Sequence, residues 1–121
     1  MYTKDIKGYH KLIVWQRMLE LLRLTYELTK LLPVDEKYGL VSQIKRAAVS
    51  VISNFVEGYL KKDIANKQHF LEISETSLLE LETQSEICFL LGYWKEDTYS
   101  QFDKKRSEVG YLLSRYRLKV R

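Results

Sequence analysis

Few residues in this 121-residue chain have the types and spacing that support catalysis. The two histidines, His10 and His69, lie far apart in sequence, and neither stands in a metal-ligand spacing. There is no HExxH and none of the paired Glu-x-x-His motifs of di-iron bundles. The single cysteine, Cys88, has no second thiol for a CxxC pair or an internal disulfide. Its setting, Ile87-Cys88-Phe89-Leu90-Leu91, suits a small buried hydrophobe better than a nucleophile. The five glycines form neither a Walker-type loop nor a GxGxxG turn. The reading is therefore non-enzymatic, with no catalytic residue, metal or cofactor expected.

Two other groups of residues have the chemistry of recognition. The first is basic. Residues 104–121 hold seven Lys or Arg and one acid, a net +6, whereas the other 103 residues hold 13 bases and 15 acids, a net −2. Lys104, Lys105, Arg115, Arg117, Lys119 and Arg121 are thus the candidate nucleic-acid-binding residues, since phosphate contacts are made mainly by such side chains. Tyr111 and Tyr116 interleave with them and can stack on bases. Cations at a helix C-terminus are also favoured by the macrodipole, so the cluster has an ordinary reading as well. The second group is a polar arc formed by Gln43, Arg46, Ser50, Asn54 and Glu57. Wet faces elsewhere are built from Lys, Arg and Glu, but this arc is mostly short and uncharged. Arg46 and Glu57 sit roughly 16 Å apart along a helix, so each needs its partner elsewhere. The arc reads first as a polar network against neighbouring helices, then as a subunit contact, and last as a ligand or nucleic-acid site.

The elements that carry these groups follow from periodicity and breakers. A first helix is predicted over 9–32, ended by Pro33. Trp15, Met18, Leu22, Thr25 and Thr29 form one of its stripes, and Val14, Leu21, Leu24, Leu28 and Leu31 another. Arg23 and Glu27 are spaced for an i,i+4 pair on its wet face. A second helix is predicted over 37–59, helped at its start by Asp35 or Glu36 and stopped by Gly58. Its apolar arc, from Leu40 through Val41, Ile44, Ala48, Val51, Ile52 and Phe55, is broad enough to pack on more than one side. Asp63 caps a third helix over 63–91, which Gly92 ends. Phe70, Ser74, Ser77, Leu81, Gln84, Cys88 and Leu91 follow a heptad-like spacing there, and Glu72, Glu75, Glu82 and Glu86 face water. A fourth helix over 95–120 has a 3-4 seam through Tyr99, Phe102, Arg106, Val109, Leu113, Tyr116 and Val120. Arg106 is the charged member of that seam. An antiparallel register puts it beside Glu80 or Glu82, because an unpaired buried guanidinium is costly; snorkelling is the alternative.

Four helices with short connections specify an all-α, up-down-up-down, left-handed four-helix bundle, spanning residues 1–121 as one domain. The opening residues contain no apolar h-region, and the apolar run at 87–91 is too short to span a bilayer. A soluble, cytoplasmic protein with no membrane partner is expected. The apolar arcs of the first two helices exceed what one bundle buries, which predicts a homo-oligomer.

A long central motif, Tyr38-Gly39-Leu40, Ser42-Gln43-Ile44, Arg46-Ala47-Ala48-Val49-Ser50, Asn54 and Glu57-Gly58, resembles the signature of the four-helix-bundle proteins encoded in intervening sequences of bacterial 23S rRNA genes, the S23 family. The similarity continues through residues 77–84 and Leu91-Gly92-Tyr93, with Trp15-Gln16 near the start, and so covers nearly the whole chain. Family members often carry a second glycine where this chain has Leu60. The resemblance implies a ring-like pentamer. It also extends to accessory variability proteins of diversity-generating retroelements, which implies RNA or DNA and a reverse transcriptase as partners. A protein-interaction scaffold without nucleic acid is the alternative function.

Overall fold

The computed structural model describes residues 7–121, and the polar opening, residues 1–6, lies outside them. Four helices, α1 (Ile13–Thr29), α2 (Leu40–Leu60), α3 (Ile64–Leu90) and α4 (Glu96–Lys119), form the bundle. Each helix contacts the next, and α4 returns to α1. Cross-helix contacts give the directions. Across α2–α3, Ser50 meets Ser77 and Gly58 meets Lys67; across α3–α4, Arg106 meets Glu82 and Arg117 meets Glu75; across α1–α4, Arg17 meets Glu108 and Glu20 meets Lys105. Lys45 lies over the Tyr26 ring across α1–α2. Every neighbouring pair is therefore antiparallel, which is up-down-up-down topology. No strand occurs among the described residues.

The core is a column of Val14, Met18 and Leu21 from α1, Ile44, Val51 and Phe55 from α2, Leu71, Leu78, Leu81 and Cys88 from α3, and Phe102, Val109 and Leu113 from α4. The predicted α3 stripe is shifted in part. Leu71, Leu78 and Ser85 are also buried, Phe70 is half-buried, and Leu91 is exposed. The cause is the 3.6-residue repeat, which widens a strict heptad line into an arc once both α2 and α4 pack against it.

Helix ends depart from the predicted ones for local reasons. The first helix starts at Ile13 rather than residue 9, because a short 3-10 turn over Gly8–Lys11 ends in an extended Leu12. The second starts at Leu40, after another 3-10 turn over Val34–Glu36. Glu36 still serves that end: its carboxylate accepts from the Leu40 amide at 3.3 Å and from the Tyr93 hydroxyl at 2.9 Å. Gly58 does not stop α2. It lies inside the last turn, where the chain needs a side chain that is absent: a Cβ there would sit 3.0 Å from the Leu71 side chain and 3.1 Å from the Lys67 carbonyl. The α2 terminus is instead satisfied by Lys67, whose ammonium donates to the Gly58 and Tyr59 carbonyls at 3.0 and 2.9 Å.

Asp63 caps α3 through the Asn66 amide, and Gly92 ends it in the left-handed region at φ 77°. Tyr93 N–H to Cys88 O and Gly92 N–H to Phe89 O close a Schellman motif. The following turn is anchored by Trp94, which is buried and donates its indole N–H to the Leu28 carbonyl at 3.0 Å. Sequence reasoning missed Trp94. It stands outside any helical stripe, and only its size argued for burial. No helix among the described residues is long and apolar enough to cross a membrane.

Candidate nucleic-acid interface

The basic segment lies on α4, and its cations divide into two sets. The first set is engaged. Lys105 donates to Glu20 at 2.7 Å and to Glu108 at 3.2 Å. Arg17 joins both acids, at 2.9 Å from Glu20 and 3.4 Å from Glu108. The Glu20 hydrogen bond raises the Lys105 pKa, and the same bond holds the Glu20 carboxyl below its ordinary value. Arg117 is also committed. Its Nε donates to Gln68 Oε1 at 3.0 Å, the Gln68 amide returns a bond to the Arg117 carbonyl at 3.0 Å, and Nη1 pairs with Glu75. Lys105 and Arg117 thus belong to the seams between helices. Their predicted place in an open basic surface is corrected, because acids on α1 and α3 lie within reach.

The second set is open. Lys104, Arg115, Lys119 and Arg121 are exposed, and none has an ion-pair partner among the described residues. Arg115 lies over the Tyr111 ring, 5.8 Å from its centroid, and that ring is 63% exposed. Tyr116 differs from the expectation. Its ring packs edge-on against the buried Phe55 at 5.2 Å, and burial raises its pKa. It is a half-buried member of the bundle rather than a free stacking platform.

Arg106 is paired, and with more than one acid. Asp103, one turn earlier, accepts from Nε at 3.1 Å and from Nη2 at 2.8 Å; Glu82 lies at 3.5 Å. Of the two expected partners, Glu82 is present and Glu80 is not: Glu80 is exposed and free of ion pairs among the described residues. Asp103 was readable from its i,i+3 spacing. Glu75 and Glu82, predicted to face water, instead tie α3 to α4. The predicted Arg23–Glu27 pair is likewise replaced by Glu27–Lys30 at 3.2 Å.

The polar arc of α2 also divides. Ser50 and Asn54 enter a network with α3: the Ser50 and Ser77 hydroxyls lie 2.7 Å apart, and Asn54 Nδ2 donates to the Ser50 carbonyl and hydroxyl at 2.9 and 3.0 Å. Ser74, not singled out for this role from sequence, donates to the Val51 carbonyl at 2.6 Å from a fully buried position. Glu57 faces outward and finds Lys61, the residue just past the end of α2, at 3.7 Å. Gln43 and Arg46 are exposed, with no partner among the described residues. Nearby, Gln84 is 7% exposed, and its Oε1 is closed off without a donor.

Cys88 is fully buried, and desolvation pushes its thiol up to about 12. His10 packs against the Tyr9 and Trp15 rings at the start of α1, and His69 lies on α3 against Phe70. Among the described residues no group of three or more His, Cys, Asp or Glu is placed to hold a metal ion.

Comparison with solved structures finds a Bacteroides thetaiotaomicron protein of unknown function from the S23 ribosomal protein family. It superimposes with a TM-score of 0.79 at 23% identity, covering 87% of this chain and 98% of the other. That likeness establishes the fold. No protein of curated function matches. The family model described as 23S rRNA-intervening sequence protein matches residues 10–115, nearly the whole chain. The chain belongs to the 23S rRNA-intervening sequence protein family.

Proposed function

We propose that this protein is a non-catalytic, homo-oligomeric accessory protein that binds RNA or DNA through the basic surface of α4. One observation carries the reading: the +6 segment keeps Lys104, Arg115, Lys119 and Arg121 exposed and unpaired, although acids elsewhere on the bundle engage its other cations. Affinity from such contacts is additive in the number of phosphates reached, so a closed ring, a pentamer by family resemblance, multiplies a weak single-chain site. The same resemblance suggests a reverse transcriptase as protein partner. Co-purification with and without nuclease tests that suggestion.

The direct test is fluorescence anisotropy with RNA and DNA oligonucleotides over a salt series, using wild type and a variant with Lys104, Arg115, Lys119 and Arg121 changed to alanine. Arg117 is left intact because its loss would disturb the α3–α4 seam. The variant is expected to bind more weakly and with a shallower salt slope, while light scattering still gives the wild-type mass, several times 14.4 kDa. Absence of wild-type binding at about 50 mM salt overturns the proposal.

A scaffold reading has its own support. On the outer α2–α3 face, Leu79 is 61% exposed and Ile87 38%, beside Gln43 and Gln84. Apolar surface beside an exposed amide suits a protein partner, the adjoining subunit included. If Leu79→Lys yields a monomer by light scattering, that face is a subunit contact; an unchanged mass removes it from the assembly.

A further inference from the structure

We propose that the open end of the α1–α4 seam receives an unpaired base, so that the preferred ligand is single-stranded RNA or DNA rather than a duplex. This rests on the nucleic-acid reading above and narrows it. A groove of about 500 Å³ opens there, with Ile13, Leu112, Tyr116 and Leu118 among its walls and Arg115 and Lys119 beside them. Ile13 is 48% exposed and Leu118 58%, so apolar surface stays in water at the place where the chain keeps its free cations.

A duplex makes no use of that arrangement. Its bases are stacked inward, and it offers the protein a phosphate backbone that two cations hold without any groove. A single strand presents both chemistries at once. Its phosphates lie on Arg115 and Lys119, one helical turn apart on α4, and a splayed base buries its faces against Ile13 and Leu118. The adjoining Tyr111 ring, exposed and with the Arg115 guanidinium 5.8 Å from its centroid, is a platform for a neighbouring base. The groove walls are aliphatic apart from the Tyr116 ring and the two cations, and they offer no amide or carboxylate side chain to read base edges. Base identity should therefore matter little. An acidic protein segment would satisfy the two cations, but it has no use for the flat faces of Tyr111 and Arg115, which favour an aromatic ligand.

The test compares labelled oligo(dT), oligo(U) and a hairpin duplex with the same number of phosphates, at about 150 mM salt and over a salt series. Wild type should hold the single strands about tenfold more tightly than the duplex, the scale that stacking of one base supplies. Ile13→Ser with Leu118→Ser, and separately Tyr111→Ser, should remove most of that preference with the salt slope unchanged. These side chains are half-exposed, and thermal melts confirm folding; if the double variant does not fold, Tyr111→Ser decides alone. Arg115→Gln with Lys119→Gln should weaken all three ligands and flatten the slope. Equal affinity for duplex and single strand, or groove variants that bind like wild type, overturns base insertion and leaves the nucleic-acid reading standing. Lack of binding to any of the three at about 50 mM salt overturns both. Binding of polyglutamate that depends on Ile13 and Leu118, with no such dependence for oligo(dT), assigns the groove to an acidic protein and also overturns it.

Discussion

The α2–α3 seam and the α1–α4 seam solve one packing problem with different chemistry. Across α2–α3 the facing side chains are short: Ala47, Ser50 and Gly58 on one helix, Ser74 and Ser77 on the other. Backbones approach so closely that a serine hydroxyl reaches the carbonyl of the opposite helix. Across α1–α4 the core is large, with Val14, Met18 and Leu21 buried on α1 and Phe102, Val109 and Leu113 on α4, and the rim is ionic, with Arg17, Glu20, Lys105 and Glu108. The first seam is held by shape and buried hydrogen bonds, which salt does not screen. The second is fastened at its edge by exposed charges, which salt does screen. The groove, with Arg115 and Lys119 beside it, lies at the end of the second seam. The difference teaches where this bundle can meet a nucleic acid: the opening at the end of the looser seam has free cations beside it, Arg115 and Lys119.

The largest effect is expected where the tight seam has no room. Gly58→Val places two methyl groups beyond a Cβ that is already too close to the buried Leu71 and to a backbone carbonyl. Overpacking at such a site costs about 3 kcal/mol. Gly58→Ala should cost less, because its helix propensity is about 1 kcal/mol better. Denaturant unfolding measures both. A Gly58→Val protein as stable as wild type would show that the helices can separate there and would end the contrast.

The second prediction moves to the α3–α4 seam, where charge is partly buried. The Arg106 side chain is 15% exposed and spans Asp103 and Glu82. Arg106→Ala should destabilise by about 2 kcal/mol, since it empties part of the seam and leaves two carboxylates without their cation. Arg106→Met should cost less, because it restores volume. Equal melting temperatures for the three proteins would make this pair a surface ornament.

These cases mark how far the sequence could be read. Caps were legible because they act locally: Asp63 and Gly92 each do what their chemistry requires within one turn, whereas α1 stops at Thr29, three residues before the end that Pro33 predicted. The helical class and the antiparallel order followed from periodicity and loop length, and so did the α3 segment facing Arg106, though not the choice of Glu82 over Glu80. Gly58 was misread as a stop because its reason is a neighbour, Leu71, thirteen positions on, rather than its own φ. The candidate site was half legible. Charge counting located the basic segment, but it could not separate Arg115 and Lys119 from Lys105 and Arg117. That separation depends on Glu20, Glu75 and Gln68, which belong to other helices. The groove was invisible for the same reason, since Ile13 and Leu118 stand at opposite ends of the chain.

The smallest effect belongs to the ionic rim of the α1–α4 seam. Lys105 is 28% exposed and Glu20 44%, so their pair is screened, and exposed pairs are worth roughly 0.2–1 kcal/mol. Lys105→Met keeps the stem and removes the charge, and it should cost no more than about 0.5 kcal/mol at low salt. The signs of the two pKa shifts fix the pH dependence. Glu20 is held below its ordinary value, so its contribution is complete above the usual carboxylate range and is lost as pH falls through the folded-state pKa. Lys105 is raised, so its contribution is complete below the usual lysine range and is lost as pH rises through its folded-state value. Between those limits the rim contributes a constant amount. Wild type should lose the increment in about 1 M salt, and Lys105→Met should show a smaller salt loss and a shallower acid-side slope from Glu20, because Arg17 still pairs with that carboxylate. Gly58→Val, by contrast, should keep its full deficit at every salt concentration. If instead Lys105→Met and Gly58→Val respond to salt in the same way, the two seams are not held by different forces, and the opening beside Arg115 needs another explanation.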